Sequence, residues 1–332
     1  MSPAAELLRE EIRKSGPVAF SRFMEVALYH PEYGYYRGSR DPFGRGGDYY
    51  TAAQIEPVFG LLVARIVEAL RREAGSPPVW RVVDLGGGRG EMGEFLGRFG
   101  YVKVEAGEPF PDAVSGVVLA NEFFDALPVD VAVRRGAGFR QRKVGWRNGR
   151  FVWVECDDLN AESLAYLERF APATPQGAVV EIALEAQRWI ERIARRLEAG
   201  YVLIFDYGYD VAERIRFPEG TLMSYRRHQA IEDVLTDPGE QDITAHVCWG
   251  ALEAKARECG LRKVWREGMS ATLLRAGEGD QFREVLEGVG EEERRRRLLQ
   301  IKTLVVGMGE TFQTLLLGAA HKNGPGEPGP HP

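Results

Sequence analysis

The chain has 332 residues with a formal net charge of −6, and 44% of its residues are hydrophobic. That is enough apolar material for a sizeable core in one large domain or two modest ones. The acidic balance offers no broad basic face, so nucleic acid is not an expected partner. Three cysteines without C-x-x-C spacing predict neither a disulfide framework nor a zinc site, and they suit a reducing cytoplasm.

The N-terminal part of the chain is expected to form a cap of helix and loop. It opens with a short amphipathic helix, and we expect neither a secretory signal nor a transit peptide there, and no bilayer-spanning run anywhere in the chain. Aromatic and turn-forming residues follow. Within them, Asp48 and Thr51 could close over a cofactor or form a turn and a helix cap. A longer helix is then predicted over residues 57 to 73.

The segment VVDLGGGRGEMG joins a predicted strand to a predicted helix through a glycine-rich turn, and it satisfies two cofactor fingerprints. Gly88, Gly90 and Gly93 give the G-x-G-x-x-G pattern of a dinucleotide site, which would indicate an oxidoreductase. Asp84 followed by Gly86, Gly88 and Gly90 gives the acid-x-G-x-G-x-G pattern of S-adenosylmethionine (SAM) methyltransferases. The glycines alone do not choose between the two, because both cofactors need a close backbone approach.

The charge of Asp84 favours SAM. A carboxylate at the end of the strand can bond to the methionine amino group, whereas it would repel the pyrophosphate of a dinucleotide. In either interpretation, an acid about 20 residues further on should bind the ribose hydroxyls. Glu105 stands at that distance with Glu108 as a competitor, although both could equally be surface glutamates of a loop.

Two short apolar segments, at residues 101 to 104 and 116 to 120, predict parallel strands that are covered on both faces. The second segment leads into NEFFDALP, which places Asn121, Glu122 and Asp125 where open α/β sheets bind their ligands. The two acids could instead cap a helix, but acidic groups that leave a buried strand favour a functional role.

The rest of the chain continues the alternation of strands and helices, with one interruption. Asn148 and Gly149 stand between alternating runs and predict an antiparallel hairpin. Residues 244 to 275 predict a helix, a strand, a turn and a second strand at the sheet edge. The run EEERRRR predicts a solvated helix face. His246 could be a base, but it is expected to be a hydrogen-bonded structural histidine, and Asp242 with Thr244 could cap the helix that follows.

Nine segments, spread over most of the chain, resemble one family: YHPEYGYY, GDYYTAAQIEPVFG, VVDLGGGRGEM, LANEFFDALPV, VEIALEAQRW, VLIFDYGY, GTLMSYRRH, PGEQDITAHV and MGETFQTLLL. The family is that of the MidA-like SAM-dependent methyltransferases, whose mitochondrial members are protein arginine methyltransferases needed for assembly of respiratory complex I. The resemblance implies a class I (Rossmann-like) α/β fold, a mostly parallel sheet with an antiparallel edge, and SAM as cofactor without a metal.

With this resemblance, the chain is expected to divide into a helical and loop cap (1–60), a SAM-binding core (61–135 and 178–275), an inserted hairpin region (136–177), a C-terminal helical and strand segment (276–322) and a disordered tail (323–332). The expected cofactor-binding residues are Asp84, Gly86, Gly88, Gly90, Glu105 and Asn121, together with Asp48 and Thr51. The family usually leaves room for a further helix and strand after the glycine turn, where this chain has only YVKVEAGEPFPDAVSG.

The resemblance also implies an arginine acceptor. A guanidinium group is always protonated, so carboxylates must bind it and localise its charge away from the attacking nitrogen. We assign these catalytic roles to Glu122 and Asp125, and Asp206 and Tyr207 could line the acceptor side. The expected partner is a protein substrate, with a respiratory-complex subunit as one candidate, and a homodimer is possible. A non-catalytic SAM-binding assembly factor is the remaining alternative.

Overall fold

The computed structural model describes residues 1–37, 55, 57–226, 229–231 and 233–319, so the predicted lid residues Asp48 and Thr51 and the predicted disordered tail lie outside the described residues. The helices are α1 (Pro3–Ser15), α2 (Phe20–Tyr29), α3 (Val58–Glu73), α4 (Gly93–Leu96), α5 (Ala161–Phe170), α6 (Leu184–Arg196), α7 (Trp249–Glu258), α8 (Met269–Glu278), α9 (Arg283–Leu286) and α10 (Glu291–Lys302). Shorter 3₁₀ turns and one π-helical turn are Gly97–Phe99, Val211–Arg216, Thr303–Gly307 and Met308–Glu310.

The strands are β1 (Arg81–Leu85), β2 (Tyr101–Val104), β3 (Val114–Asn121), β4 (Asp130–Arg135), β5 (Gly138–Arg147), β6 (Arg150–Cys156), β7 (Val179–Ile182), β8 (Leu197–Tyr209), β9 (Met223–Arg226), β10 (Gln229–Ile231), β11 (Asp242–Thr244), β12 (Val247–Cys248), β13 (Leu261–Gly268) and β14 (Phe312–Ala319). The central sheet has the order β13-β14-β8-β3-β1-β2, and β12 pairs with β8 beside this path. Strands β2, β1, β3 and β8 are parallel, whereas β14 and β13 are antiparallel additions at one edge. The predicted α/β class with a mostly parallel sheet and an antiparallel edge is therefore confirmed.

Helices cover both faces of the central sheet, which explains why its strands are continuously apolar. On one face, Val82, Val117 and Leu203 pack against α3 and α8. On the other face, Val118 and Val202 pack against α6 and α7. Successive residues of a strand point to opposite faces of the sheet, so the residues on both faces of each strand have to be hydrophobic.

A second sheet has the order β6-β5-β4-β7 and is antiparallel. Its strands come between β3 and β8 in the sequence. The hairpin between β5 and β6 turns at Asn148 and Gly149, whose φ angles are 50° and 78°, as the Asn-Gly pair predicts. Helices α1 and α2 pack on one face of this sheet, and α5 packs on the other. A third small sheet has the order β10-β9-β11.

One predicted element is wrong. The sequence predicts a strand after residue 268, but the structure has the helix α8, in which Met269, Thr272 and Leu273 are buried at helical spacing. The antiparallel partner of β13 is instead β14, which comes from the predicted C-terminal segment. No helix in the described ranges is long and apolar enough to cross a membrane.

Candidate cofactor and acceptor site

In the glycine turn after β1, the backbone lies so close to neighbouring side chains that residues larger than glycine would not fit. Gly86, Gly88 and Gly90 have φ angles of 65°, 53° and 81°, in the left-handed region that favours glycine. A Cβ atom added to Gly86 would lie 2.9 Å from the ring of Phe123, and one added to Gly87 would lie 2.7 Å from Oδ2 of Asp84. The turn is therefore a cradle that only glycine can form, as close approach of a cofactor requires.

Asp84 lies under this turn with 2% of its surface exposed. Burial raises the pKa of its carboxyl group to about 7, and a hydrogen bond from the hydroxyl of Tyr101, 2.7 Å from Oδ2, opposes that rise. A cation placed against the turn would favour the ionised carboxylate. This electrostatic preference suits a sulfonium and an amino group better than a pyrophosphate.

Glu105 follows β2 and is linked to the glycine turn by a lysine. The Nζ atom of Lys103 lies 2.5 Å from the carbonyl oxygen of Gly88 and 3.4 Å from Oε1 of Glu105. The backbone N–H of Glu105 donates to Oε2 of Glu108 at 2.9 Å, so Glu108 holds the loop. Oε1 of Glu105 is buried and accepts no hydrogen bond from the described residues. An oxygen that has an ion pair but no hydrogen bond can still accept one from a ribose hydroxyl, so Glu105 fits the predicted ribose-binding role, which stays a prediction.

The segment after β3 is a tight turn. Glu122 has a φ angle of 51°, and its backbone N–H donates to the carbonyl of Phe205 at 2.9 Å. Nδ2 of Asn121 donates to Glu122 at 3.3 Å, while its Oδ1 is buried without a hydrogen-bond partner in the described structure. No helix begins in this turn, so Glu122 and Asp125 do not cap one, and the capping alternative is wrong.

A cavity of about 580 Å³ opens beyond this turn, at the carboxyl ends of β3 and β8. Carboxylates and aromatic rings dominate its wall, which includes Glu122, Asp125, Asp242, Glu213, Tyr36, Tyr207, Tyr209, Tyr225, Phe217, Phe312 and His246. Asp125 is 4% exposed, and burial raises the pKa of its carboxyl group to about 6, opposed by a hydrogen bond from Tyr207. Its Oδ1 atom has no hydrogen-bond partner among the described residues.

Residues from distant parts of the chain complete the cavity, and the sequence did not predict that Tyr36 and Asp242 meet there. The hydroxyl of Tyr36 donates to Oδ1 of Asp242 at 2.6 Å. Asp242 and Thr244 form β11 and do not cap α7, so the capping alternative is wrong here too. The ring of His246 packs edge-on against Tyr207, and burial lowers its pKa. Its Nδ1 is buried without a hydrogen-bond partner in the described structure, so the expected hydrogen-bonded histidine is not observed at that atom.

A cofactor turn and an acidic cavity at the same edge of a parallel sheet form the arrangement of an α/β enzyme that transfers a group from a nucleotide cofactor. The family of S-adenosyl-L-methionine-dependent methyltransferases matches residues 98–266 of the chain, and the chain belongs to it. The predicted family, the SAM cofactor and the methyltransferase activity are thereby confirmed. The dinucleotide oxidoreductase and the non-catalytic assembly factor gain no support.

Relatives of known name agree with this assignment. The chain is 29% identical to "Protein arginine methyltransferase NDUFAF7 homolog, mitochondrial" of Drosophila melanogaster, over 73% of this chain and 67% of that protein. It is 27% identical to "Protein arginine methyltransferase NDUFAF7, mitochondrial" of Bos taurus, over 96% of this chain and 83% of that protein. The crystal structure of a COG1565 superfamily member from Burkholderia thailandensis, bound to S-adenosyl-homocysteine, is 28% identical with a TM-score of 0.85, over 95% of this chain and 91% of that one.

The predicted cytoplasmic location is wrong, because these curated animal relatives are mitochondrial proteins. The prediction rested on the expected absence of a transit peptide and on cysteine usage, which reports a reducing environment and does not distinguish one reducing compartment from another.

Proposed function

We propose that the acceptor of the methyl group is an arginine side chain of a protein. The observation that carries this proposal is the wall of the cavity, where Glu122, Asp125 and Asp242 stand among aromatic rings. Carboxylates bind the fork of a guanidinium group, and aromatic faces attract its delocalised charge. The names of the fly and cattle relatives, which are protein arginine methyltransferases, support the same acceptor.

The chain's own residues would bind and orient the two reactants. Asp84, Gly86, Gly88, Gly90, Glu105 and Asn121 are the residues that we propose to hold SAM, which supplies a methyl group on a positively charged sulfur. Glu122 and Asp125 would bind the guanidinium and localise its charge away from the nitrogen that attacks. A methylated guanidinium is again a cation, so one N–H proton has to leave, and the unpartnered Oδ1 of Asp125 is the proposed acceptor.

Methylation of a defined peptide tests the acceptor. The purified protein is incubated with methyl-labelled SAM and peptides that are identical except for one arginine or one lysine, and mass spectrometry locates the label. We expect methylarginine with the first peptide and no label with the second. Methyl-lysine, or label on neither peptide while a protein extract is labelled at another residue type, would contradict the proposal.

Two variants separate the acceptor from the cofactor. Asp125→Asn should leave the Kd for SAM within about twofold and reduce kcat/KM by about 100-fold or more, because a general base contributes 10²–10⁴-fold. Asp157→Asn, a matched change at an exposed aspartate that pairs with Arg140, should leave both unchanged. A respiratory-complex subunit, which the family resemblance implies, is the first protein acceptor to test. The homodimer stays a prediction, which light scattering of the purified chain would test.

A further inference from the structure

Asp206 lies at the carboxyl end of β8, directly behind the cavity, and its surface is 0% exposed. The sequence suggested that this residue lines the acceptor side, but the structure places it behind the lining residues. Its Oδ1 accepts the backbone N–H of Tyr207 at 2.9 Å. Its Oδ2 accepts the N–H groups of Phe124 at 3.1 Å and Asp125 at 3.3 Å. Both carboxylate oxygens are thus acceptors for backbone donors.

These three bonds fix the turn that carries the proposed catalytic acids. The turn has no helix to hold it, and Glu122 is in a left-handed conformation that costs free energy for a residue other than glycine. The carbonyl of Asp125 accepts the N–H of Ala245 at 2.9 Å, and Asp206 binds the same turn from the other side. An asparagine in its place would point an amide N–H₂ at a backbone N–H, whichever way it is turned.

Asp206 and Asp125 are two carboxyl groups that share one buried site. Burial and the charge of Asp125 raise the pKa of Asp206, and its backbone hydrogen bonds oppose that rise. Two such neighbours hold one proton to a higher pH than an isolated carboxyl group would. Asp206 accepts three backbone N–H groups, which stabilise its ionised form, whereas Oδ1 of Asp125 accepts no hydrogen bond from the described residues. This difference in hydrogen bonding favours Asp125 as the site of the shared proton.

Other charged and titratable groups around Asp125 come from several elements. They are Tyr207 on β8, Glu122 in the turn, Tyr29 on α2, Tyr225 on β9, Asp242 on β11, and His246. Two cations lie in this region: Arg216 lines the cavity and pairs with Glu213 at 3.4 Å, and Arg37 donates to the carbonyl of Ala106. Neither of these cations is shown bonded to Asp125, so its neighbourhood is predominantly acidic and phenolic.

We propose that Asp206 is a positioning residue of this methyltransferase: its buried negative charge fixes the Glu122–Asp125 turn and opposes ionisation of Asp125. When a cationic side chain binds in the cavity, Asp125 releases its proton to the water of the cavity and becomes the carboxylate that holds the cation. The second part rests on the proposed arginine acceptor, whereas the first concerns the chain alone.

Carbon-13 NMR of the full chain, with carboxyl-labelled aspartate, tests the charge distribution without turnover. We expect Asp206 to be ionised and Asp125 to hold the last proton of the pair. In Asp206→Asn, Asp125 should titrate at least about one pH unit lower, because the neighbouring charge has gone. A titration in which Asp206 carries the proton at neutral pH, or in which Asp125 does not move, would overturn the proposal.

Kinetics with the arginine peptide test the consequence. Asp206→Asn should raise KM for the peptide about tenfold through loss of the charged clamp, move the acid limb of kcat/KM to lower pH, and leave the Kd for SAM within about twofold. Asp206→Glu keeps the charge and should restore the acid limb to its wild-type position. Asp112→Asn, at an exposed aspartate paired with Arg196, is the matched control and should change nothing.

The outcomes separate this proposal from the proposed function. If wild-type protein binds SAM but does not methylate the peptide, the arginine acceptor fails, and the NMR titration alone decides the role of Asp206. If Asp206→Asn does not fold, the wild-type titration and Asp206→Glu still decide it. A raised KM with an unmoved acid limb would reduce Asp206 to a structural residue and overturn the proposal.

Discussion

At the scale of single residues, Asp84 is subject to two opposed requirements. A buried carboxyl group under the glycine turn is costly to ionise in the free protein, yet a cationic cofactor favours its ionised form. Its position after an apolar strand and before three spaced glycines made it recognisable from the sequence alone. The hydroxyl of Tyr101, which moderates its pKa, belongs to the neighbouring strand and was not recognisable from the motif.

Asp84→Asn should be more stable than the wild type at pH 8 and lose that advantage near pH 4. The folded-state pKa of about 7 lies above the ordinary value of 3.8, so the folded protein retains a proton that the unfolded chain has lost between these values. Wild-type stability therefore falls as pH rises through this window. Asparagine does not titrate, and the gain at pH 8 should be at least about 1 kcal/mol. Urea unfolding without cofactor measures it, and equal stability at both pH values would contradict the pKa shift.

Gly86→Ala should weaken SAM binding about tenfold or more. The added methyl group would lie too close to the ring of Phe123, and alanine would have to adopt the left-handed backbone conformation of Gly86. Gly97→Ala is the matched control, because the φ angle of Gly97, −54°, is helical and nothing lies within 4 Å of the added atom. Isothermal titration with SAM measures both. Similar losses of affinity in the two variants would show that the turn is not the cofactor cradle.

At the scale of elements, the sequence predicted those strands and turns that a local pattern of apolar residues or glycines defines. The parallel strands and the Asn-Gly hairpin have periods or turn residues that define them locally. The strand predicted after residue 268 failed because a short apolar segment fits a helix as well, and only packing against α3 shows that Met269 and Leu273 face one way. The pairing of β13 with β14 was out of reach, since more than 40 residues separate the two strands.

Gly116→Ala should destabilise the protein by more than about 3 kcal/mol, because backbone clashes are not relieved by side-chain movement. Gly116 pairs with Arg81 across β1 and β3, and an added Cβ would lie 1.9 Å from the carbonyl oxygen of Arg81. Its φ of 148° adds strain for any larger residue. Gly138→Ala, at the start of β5 with open space around it, should stay within about 1 kcal/mol of the wild type. Urea unfolding compares the two, and equal midpoints would contradict the close approach of the strands.

At the scale of the whole molecule, the acceptor cavity is assembled from parts that the sequence keeps far apart. Strand β8 provides Tyr207, the turn after β3 provides Asp125, the segment after α2 provides Tyr36, and β11 provides Asp242. The cofactor half could be predicted because its residues are clustered around one turn. The acceptor half could be predicted only at Glu122 and Asp125, since tertiary packing alone brings Tyr36 to Asp242 across 206 positions of the chain.

Tyr36→Phe should therefore affect the acceptor and spare the cofactor. The substitution keeps the ring and removes the hydroxyl that donates to Asp242, so an acidic group of the cavity loses its orientation. We expect KM for an arginine peptide to rise about fivefold to tenfold, as loss of one hydrogen bond to a charged group implies, with the Kd for SAM unchanged. Tyr33→Phe is the matched control, because Tyr33 is partly exposed and stacks on His30 away from the cavity lining. Should Tyr36→Phe weaken SAM binding as much as peptide binding, the separation of the two halves would be wrong.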